Sequence, residues 1–240
     1  MSEPIKEFRV LTSGAFTAAL VALTPSLESV LGKRVIAAST SIGIGESYIP
    51  TRLKRGEIAD LVIVADDVLR DCVSDGLVLA AAYTPLVISL IGMAVRQSAP
   101  KPDISTVEAF RQTLLNARSI AYSASVSGRY LTTELYQRLH FADAVSGKGR
   151  LVGNERIGAV IARGEAEIGF EQISELMPVP GIAHITPLPD ALQKHSTFSV
   201  GVAARCPDIS VAHRAIAFLT SPAAENAIRE SGLLPVRAAA

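Results

Sequence analysis

The sequence predicts an α/β fold built on a parallel sheet, and three observations lead to that prediction. Strand-length apolar runs alternate with helical stretches along most of the chain. Runs such as Leu61-Val-Ile-Val-Ala65 are apolar at every position, as in strands covered by helices on both sides of a sheet. Helix starts carry their own chemistry: Ser105-Thr-Val-Glu108 has capping-box spacing, and Ser221-Pro222 places proline at a first helical position.

Taken in order, Phe8 to Leu11 reads as a first strand, followed by Thr12-Ser13-Gly14 and a helix from Ala15 to Leu31 that Pro25 is expected to break or kink. Arg34 to Ser39 is a second strand. The glycine-rich turn from Gly43 to Ser47 then leads to a short helix ending near Gly56. Asp60 to Ala65 is a third strand, and Asp66 opens the next helix. In the middle of the chain, the capping box starts a helix reaching Leu115. Ser119 to Tyr122 is a strand, and Ser127-Gly128 opens a helix to Leu139. Asn154 caps a helix carrying Ile157, Val160 and Ile161 on its apolar face and ending at Gly164. Ala166 to Phe170 and Ser196 to Val202 are the later strands, and two helices close the chain.

Composition narrows the function. The 240 residues are 49% hydrophobic and 19% charged, a globular balance that allows one large domain or two modest ones. The 23 basic and 23 acidic residues cancel and form no basic run, so nucleic acid and anionic membrane surfaces are not expected partners. Cys72 and Cys206 have no metal or redox spacing and are expected as free thiols. The four histidines are scattered, and neither a metal nor a cofactor is expected. Gly43 and Gly45 begin a glycine-rich pattern, but Tyr48 occupies the place of its last glycine, which argues against a dinucleotide loop. Gly76 to Val95 is nearly long enough to span a bilayer; Pro85 and its β-rich residues favour a turn and a buried strand, without membrane insertion. The N-terminus has no basic, apolar and small-residue succession of a leader. The expectation is a cytoplasmic protein, or a periplasmic one if a leader has been removed.

The block Leu53-Lys-Arg-Gly56-Glu-Ile-Ala-Asp60-Leu-Val-Ile-Val-Ala-Asp66 resembles the molybdate-binding proteins of ABC transporters, a branch of the type II periplasmic (solute-)binding superfamily. Further similarity lies in Thr12-Ser13-Gly14-Ala15, in Ile157-Gly-Ala-Val160 with Gly164 to Gly169, and in Phe218 to Gly232. The resemblance implies a two-lobed α/β fold with a hinged ligand cleft between the lobes. Lobe 1 would comprise residues 1–84 plus 200–240 and lobe 2 residues 85–199, with crossings near Leu86–Arg96 and Ser196–Val202. It also implies a small anionic ligand at turns before helices, where free N–H groups and the helix dipole favour negative charge. On this reading Ser13, Gly14, Ser47, Tyr48, Ser127, Gly128, Arg129, Arg156 and Gln172 are the candidate ligand contacts. An ABC permease would be a partner only if the protein is exported.

Departures from the family pattern point towards an organic acid rather than a bare oxyanion. Ala15 stands where the family has a serine, Gln172 falls near its late tyrosine, and Glu46 sits beside Ser47. Arg129 and Arg156 add forks suited to planar carboxylates. The serines could equally be plain helix caps, and the arginines solvated surface residues. Three functions stay open: a solute-binding protein for an organic acid or molybdate-like oxyanion, a cytoplasmic ligand sensor, and a cytoplasmic isomerase or decarboxylase of a small carboxylic acid. In the enzyme, Glu46 or Glu171 would carry the proton.

Overall fold

A computed structural model describes residues 7–39, 45–153 and 155–236. Gly43 and the expected cap Asn154 lie outside the described residues. The chain divides into two compact units, switching from the first to the second between Ile88 and Ser89 and returning between His195 and Ser196.

The first unit opens with β1 (Glu7–Thr12), α1 (Gly14–Leu31), β2 (Arg34–Ser39), α2 (Ile49–Lys54), β3 (Leu61–Ala65) and α3 (Asp66–Ser74). β4 (Thr84–Ser89) leads out of the unit. The second unit holds β5 (Ile91–Arg96), α4 (Val107–Asn116), β6 (Ile120–Ser123), α5 (Val126–Arg129), α6 (Tyr136–Arg138) and α7 (Ala142–Ser146). It continues with β7 (Gly149–Val152), α8 (Ile157–Ala162), β8 (Ile168–Gln172), α9 (Ile173–Leu176) and β9 (Ile182–Pro187). β10 (Ser196–Val202), α10 (Ile209–Leu219), α11 (Pro222–Glu230) and β11 (Leu233–Pro235) complete the first unit.

The sheets are mixed rather than purely parallel. In the first, ordered β11-β4-β10-β3-β1-β2, β1 runs parallel to β2 and β3 while the returning β10 lies antiparallel to β3. In the second, ordered β7-β6-β8-β5-β9, β6 is parallel to β7 and β8, and β5 is antiparallel to β8 and β9. The apolar stretch from Gly76 to Val95 becomes a turn, a 3-10 turn at Ala80–Ala82 and the strands β4 and β5.

Two local expectations are corrected. Helix α1 runs through Pro25 without interruption. Residues Val21 and Pro25 are exposed, so the carbonyl freed by the missing proline N–H is on the solvent side of the helix. The cap of α4 is Thr106, whose hydroxyl accepts from the Ala109 N–H at 3.0 Å, because the Ser105 N–H is already bonded to Asp103 at 2.8 Å. Helix α1 is long and apolar enough, by length and composition, to cross a membrane. Here it buries Phe16, Leu20, Leu23 and Leu27 and packs with α10 and α11, as a core helix does.

The core of the second unit centres on Phe110 and Phe170, fully buried and packed edge-on at 5.8 Å. Each contributes about 1.5–3 kcal/mol by leaving water. Helix α8 lies close on β8, because a methyl group on Gly169 would come within 2.5 Å of Ile157 Cγ2. That approach brings the start of α8 to the end of β8. The helix after β6 runs from Val126 to Arg138 and is wound as a π-helix between Tyr130 and Leu135, a form that often accompanies functional sites.

Candidate functional site

Strands β6 and β8 lie side by side, Ile120 beside Ile168 and Tyr122 beside Phe170, and end on the same edge of their sheet. Ligand-holding turns emerge from the carboxyl ends of parallel strands. The turn after β6 is built from hydroxyls: Ser123 Oγ lies 2.6 Å from Ser125 Oγ, which lies 3.3 Å from Ser127 Oγ. Ser127 and Gly128 are buried. A methyl group at Gly128 would stand 1.7 Å from the Ser123 carbonyl oxygen, so only glycine lets α5 start this close to β6.

The end of β8 is polar inside the protein. Glu171, Gln172, Ser174 and Glu175 are all buried. Glu171 Oε1, both polar atoms of the Gln172 amide, and the Ser174 hydroxyl have no hydrogen-bond partner within the protein. The Ser89 hydroxyl, at the first residue of this unit, is in the same condition. Each such group costs about 1–3 kcal/mol to bury unpaired.

Glu171 Oε2 accepts the backbone N–H of Ile157 at 3.2 Å. Burial first, and the neighbouring Glu175 carboxyl second, push Glu171 well above the usual carboxylate range, against the opposing pull of Arg156 and the amides of Ile157 and Gly158. Glu175 is pushed up to about 7 by burial, with Arg156 opposing. Arg156 is half-buried, and its Nη1 donates to the Glu175 carbonyl at 3.3 Å. The arrangement suits acid–base work.

The other expected contacts fall into separate groups. Within the first unit, Ser13 caps α1 with its hydroxyl buried and without a partner, and Gly14 is the first helical residue. Ser47 is exposed, and half-buried Tyr48 precedes α2. Glu46 and Ser47 line a hollow of about 550 Å³ with Arg52, Arg55, Gly56 and Glu57. Glu46 is 87% exposed and pairs with Arg55 at 3.2 Å, so of the two candidate proton carriers only Glu171 is buried. In the second unit Ser127, Gly128, Glu171 and Gln172 share one sheet edge, whereas Arg129 is exposed.

Asp66, from the segment that resembles the molybdate binders, has a structural role. It accepts from Tyr83, from Ser199, and from Arg70 Nε at 2.8 Å, tying α3 to β10 and to the lead-in of β4. Cys72 and Cys206 are free. Among the described residues, no cluster of histidine, cysteine and carboxylate side chains could hold a metal ion. Sequence reasoning missed Glu175 and Ser174. The available signal was a segment with four polar residues in five, Glu171 to Glu175, directly following an apolar run.

The sequence profile of the bacterial extracellular solute-binding proteins matches residues 8–234. An aconitate isomerase from a Pseudomonas species is 40% identical over 238 residues, covering 99% of this chain and 91% of that protein. The periplasmic molybdate-binding protein of Azotobacter vinelandii has the same fold, with a TM-score of 0.74 at 16% identity over 95% of this chain and 98% of the other. The sulfate-binding protein SubI of Mycobacterium tuberculosis H37Rv gives a TM-score of 0.77 at 13% identity, over 96% of this chain and 87% of the other. Two α/β units, each with its own mixed sheet, and a match across nearly the whole chain lead to one assignment: this protein has the two-lobed type II periplasmic-binding-protein fold and belongs to the bacterial extracellular solute-binding protein family.

Proposed function

We propose that this protein is an isomerase of aconitate-class acids, small unsaturated tricarboxylates, and that Glu171 moves the proton. The observation that carries the reading is Glu171 itself: fully buried, anchored through one oxygen to Ile157, and with the other oxygen unpartnered. The relation to an aconitate isomerase supplies the substrate class.

The chemistry needs one group that takes a proton and returns it. In aconitate a methylene and a vinyl CH flank one central carbon, and all three carbons carry carboxyl groups. Glu171, as carboxylate, takes a methylene proton: a C–H bond breaks, an O–H bond forms, and the electron pair spreads into the conjugated carboxylates. Returning the proton to the former vinyl carbon moves the double bond across the centre. The product is again aconitate, with the other geometry now accessible. A carboxyl group whose neutral form is favoured by burial is the stronger base for this step.

Recognition falls to the neighbouring groups. The Gln172 amide offers a donor and an acceptor in one plane, which matches a carboxyl group better than a tetrahedral oxyanion. The amides at Ser127 and Gly128 open a helix and suit a second carboxylate. Arg129 and Arg156 supply positive charge, and Ser13, Gly14, Ser47 and Tyr48 are the contacts proposed from the first unit. Such an isomerase needs no permease.

Family membership favours a second reading, a protein that binds a small anion, is exported, and delivers it to an ABC permease. Proton NMR of the purified protein with trans-aconitate separates the two. Catalytic appearance of cis-aconitate supports the isomerase. No conversion, together with calorimetric binding of molybdate or an organic acid, supports the binding protein.

A further inference from the structure

Two buried acids and one half-buried cation lie on adjoining segments. Glu171 ends β8, and Glu175 follows four residues later in α9. Arg156 stands beside both residues: its guanidinium donates to the backbone carbonyl of Glu175 at 3.3 Å, and the backbone N–H of the next residue, Ile157, donates to the Glu171 carboxyl at 3.2 Å. Other charges on the surrounding elements are directed elsewhere. Arg163 pairs with Glu155 and Glu165, at 2.8 and 2.5 Å. Arg96 lies at the far end of β5, beside Gly164, and Arg129 is exposed. Glu171 is paired across to Gly92 of β5, and β6 offers only Ser123 at this end.

Two ionised carboxylates here would leave a buried excess of negative charge, whereas one would be balanced by Arg156. We propose that Glu171 and Glu175 hold one proton and one negative charge between them, balanced by Arg156, and that Glu175 is the positioning residue that keeps Glu171 a strong base. This deepens the isomerase reading and rests on it for its catalytic consequence, though not for its titration. With the charge on Glu175, Glu171 retains its proton; with the proton on Glu175, Glu171 is the carboxylate that attacks the substrate. Either way the net charge of the site is unchanged.

The test is a carbon-13 NMR titration of glutamate side-chain carboxyls in the full chain, without substrate, comparing wild type with Glu175→Gln, Glu171→Gln and Arg156→Gln. Loss of the negative neighbour in Glu175→Gln should lower the Glu171 midpoint by about one to three pH units. Glu171→Gln puts a neutral side chain where the protonated Glu171 stood and should leave the Glu175 midpoint in place, and Arg156→Gln should raise both. A Glu171 midpoint unchanged in Glu175→Gln overturns the proposal; if that variant does not fold, both carboxyls unmoved in Arg156→Gln overturns it equally. For a protein that isomerises aconitate, the acid limb of kcat should move with the Glu171 midpoint while KM holds. A shared-proton titration without turnover would refute the isomerase and leave the pair intact. Turnover with independently titrating carboxyls would do the reverse.

Discussion

The backbone N–H of Ile157 lies 3.2 Å from Glu171 Oε2, so a carboxyl group buried to 0% exposure is fixed by one oxygen while the other has no hydrogen-bond partner in the protein. That hydrogen bond favours the anion, while burial and the Glu175 carboxyl favour the neutral acid, and the second pair of effects prevails. If Glu171 must be a carboxylate to take the substrate proton, kcat should rise with pH along a limb well above the ordinary carboxylate range. A pH–rate profile checks this, and a limb near pH 4 would assign the proton to another group.

Glu175 makes a prediction about stability. Its folded-state pKa, raised to about 7 by burial, lies above the 4.5 of an unfolded glutamate. Above the unfolded value the unfolded chain therefore binds fewer protons, and wild-type stability falls as pH rises towards the folded value. Glu175→Gln removes this dependence. It should be more stable than wild type at pH 8, by on the order of 3 kcal/mol, with the difference vanishing near pH 4. Urea unfolding at the two pH values measures it.

Gln172 separates stability from recognition. Replacing its buried, unpartnered amide by leucine removes a desolvation cost, so Gln172→Leu should unfold at equal or higher urea concentration. The same variant should bind aconitate about ten- to a hundredfold more weakly, as expected for losing hydrogen bonds to a charged ligand. Weaker binding caused only by loss of folding would appear as a lower urea midpoint.

Glu46 supplies the contrast. It is 87% exposed and paired with Arg55 on an open hollow, so Glu46→Gln should leave kcat and KM within about twofold of wild type. A loss of two or more decades in kcat would move the proton chemistry to the first unit.

Much of the fold was legible because burial on both faces writes itself into composition. The apolar run of β3 and the alternation of β10 were readable, as were the segments around β1, β2 and β6. Strand direction was not, since an antiparallel strand such as β5 is as apolar as a parallel one. At the site, Glu171 and Gln172 could be named but not weighed. The expected strand stopped at Phe170, whereas β8 continues through Gln172 and carries both polar residues into the interior. Glu175 was missed because a glutamate in a short helix is ordinarily solvated, and only the packing of α9 against β5 and β8 buries it. Glu46 seemed as good a proton carrier as Glu171 until exposure distinguished them.

The account turns on whether Glu171 moves a proton on a bound tricarboxylate. The most direct measurement is deuterium incorporation into aconitate in heavy water, followed by NMR with wild type and Glu171→Gln, alongside calorimetry of both. Wild type should place deuterium on the carbons flanking the centre while interconverting cis- and trans-aconitate. Glu171→Gln should still bind but exchange about two to four decades more slowly. Binding by wild type without any exchange, or exchange by Glu171→Gln at the wild-type rate, would contradict the account.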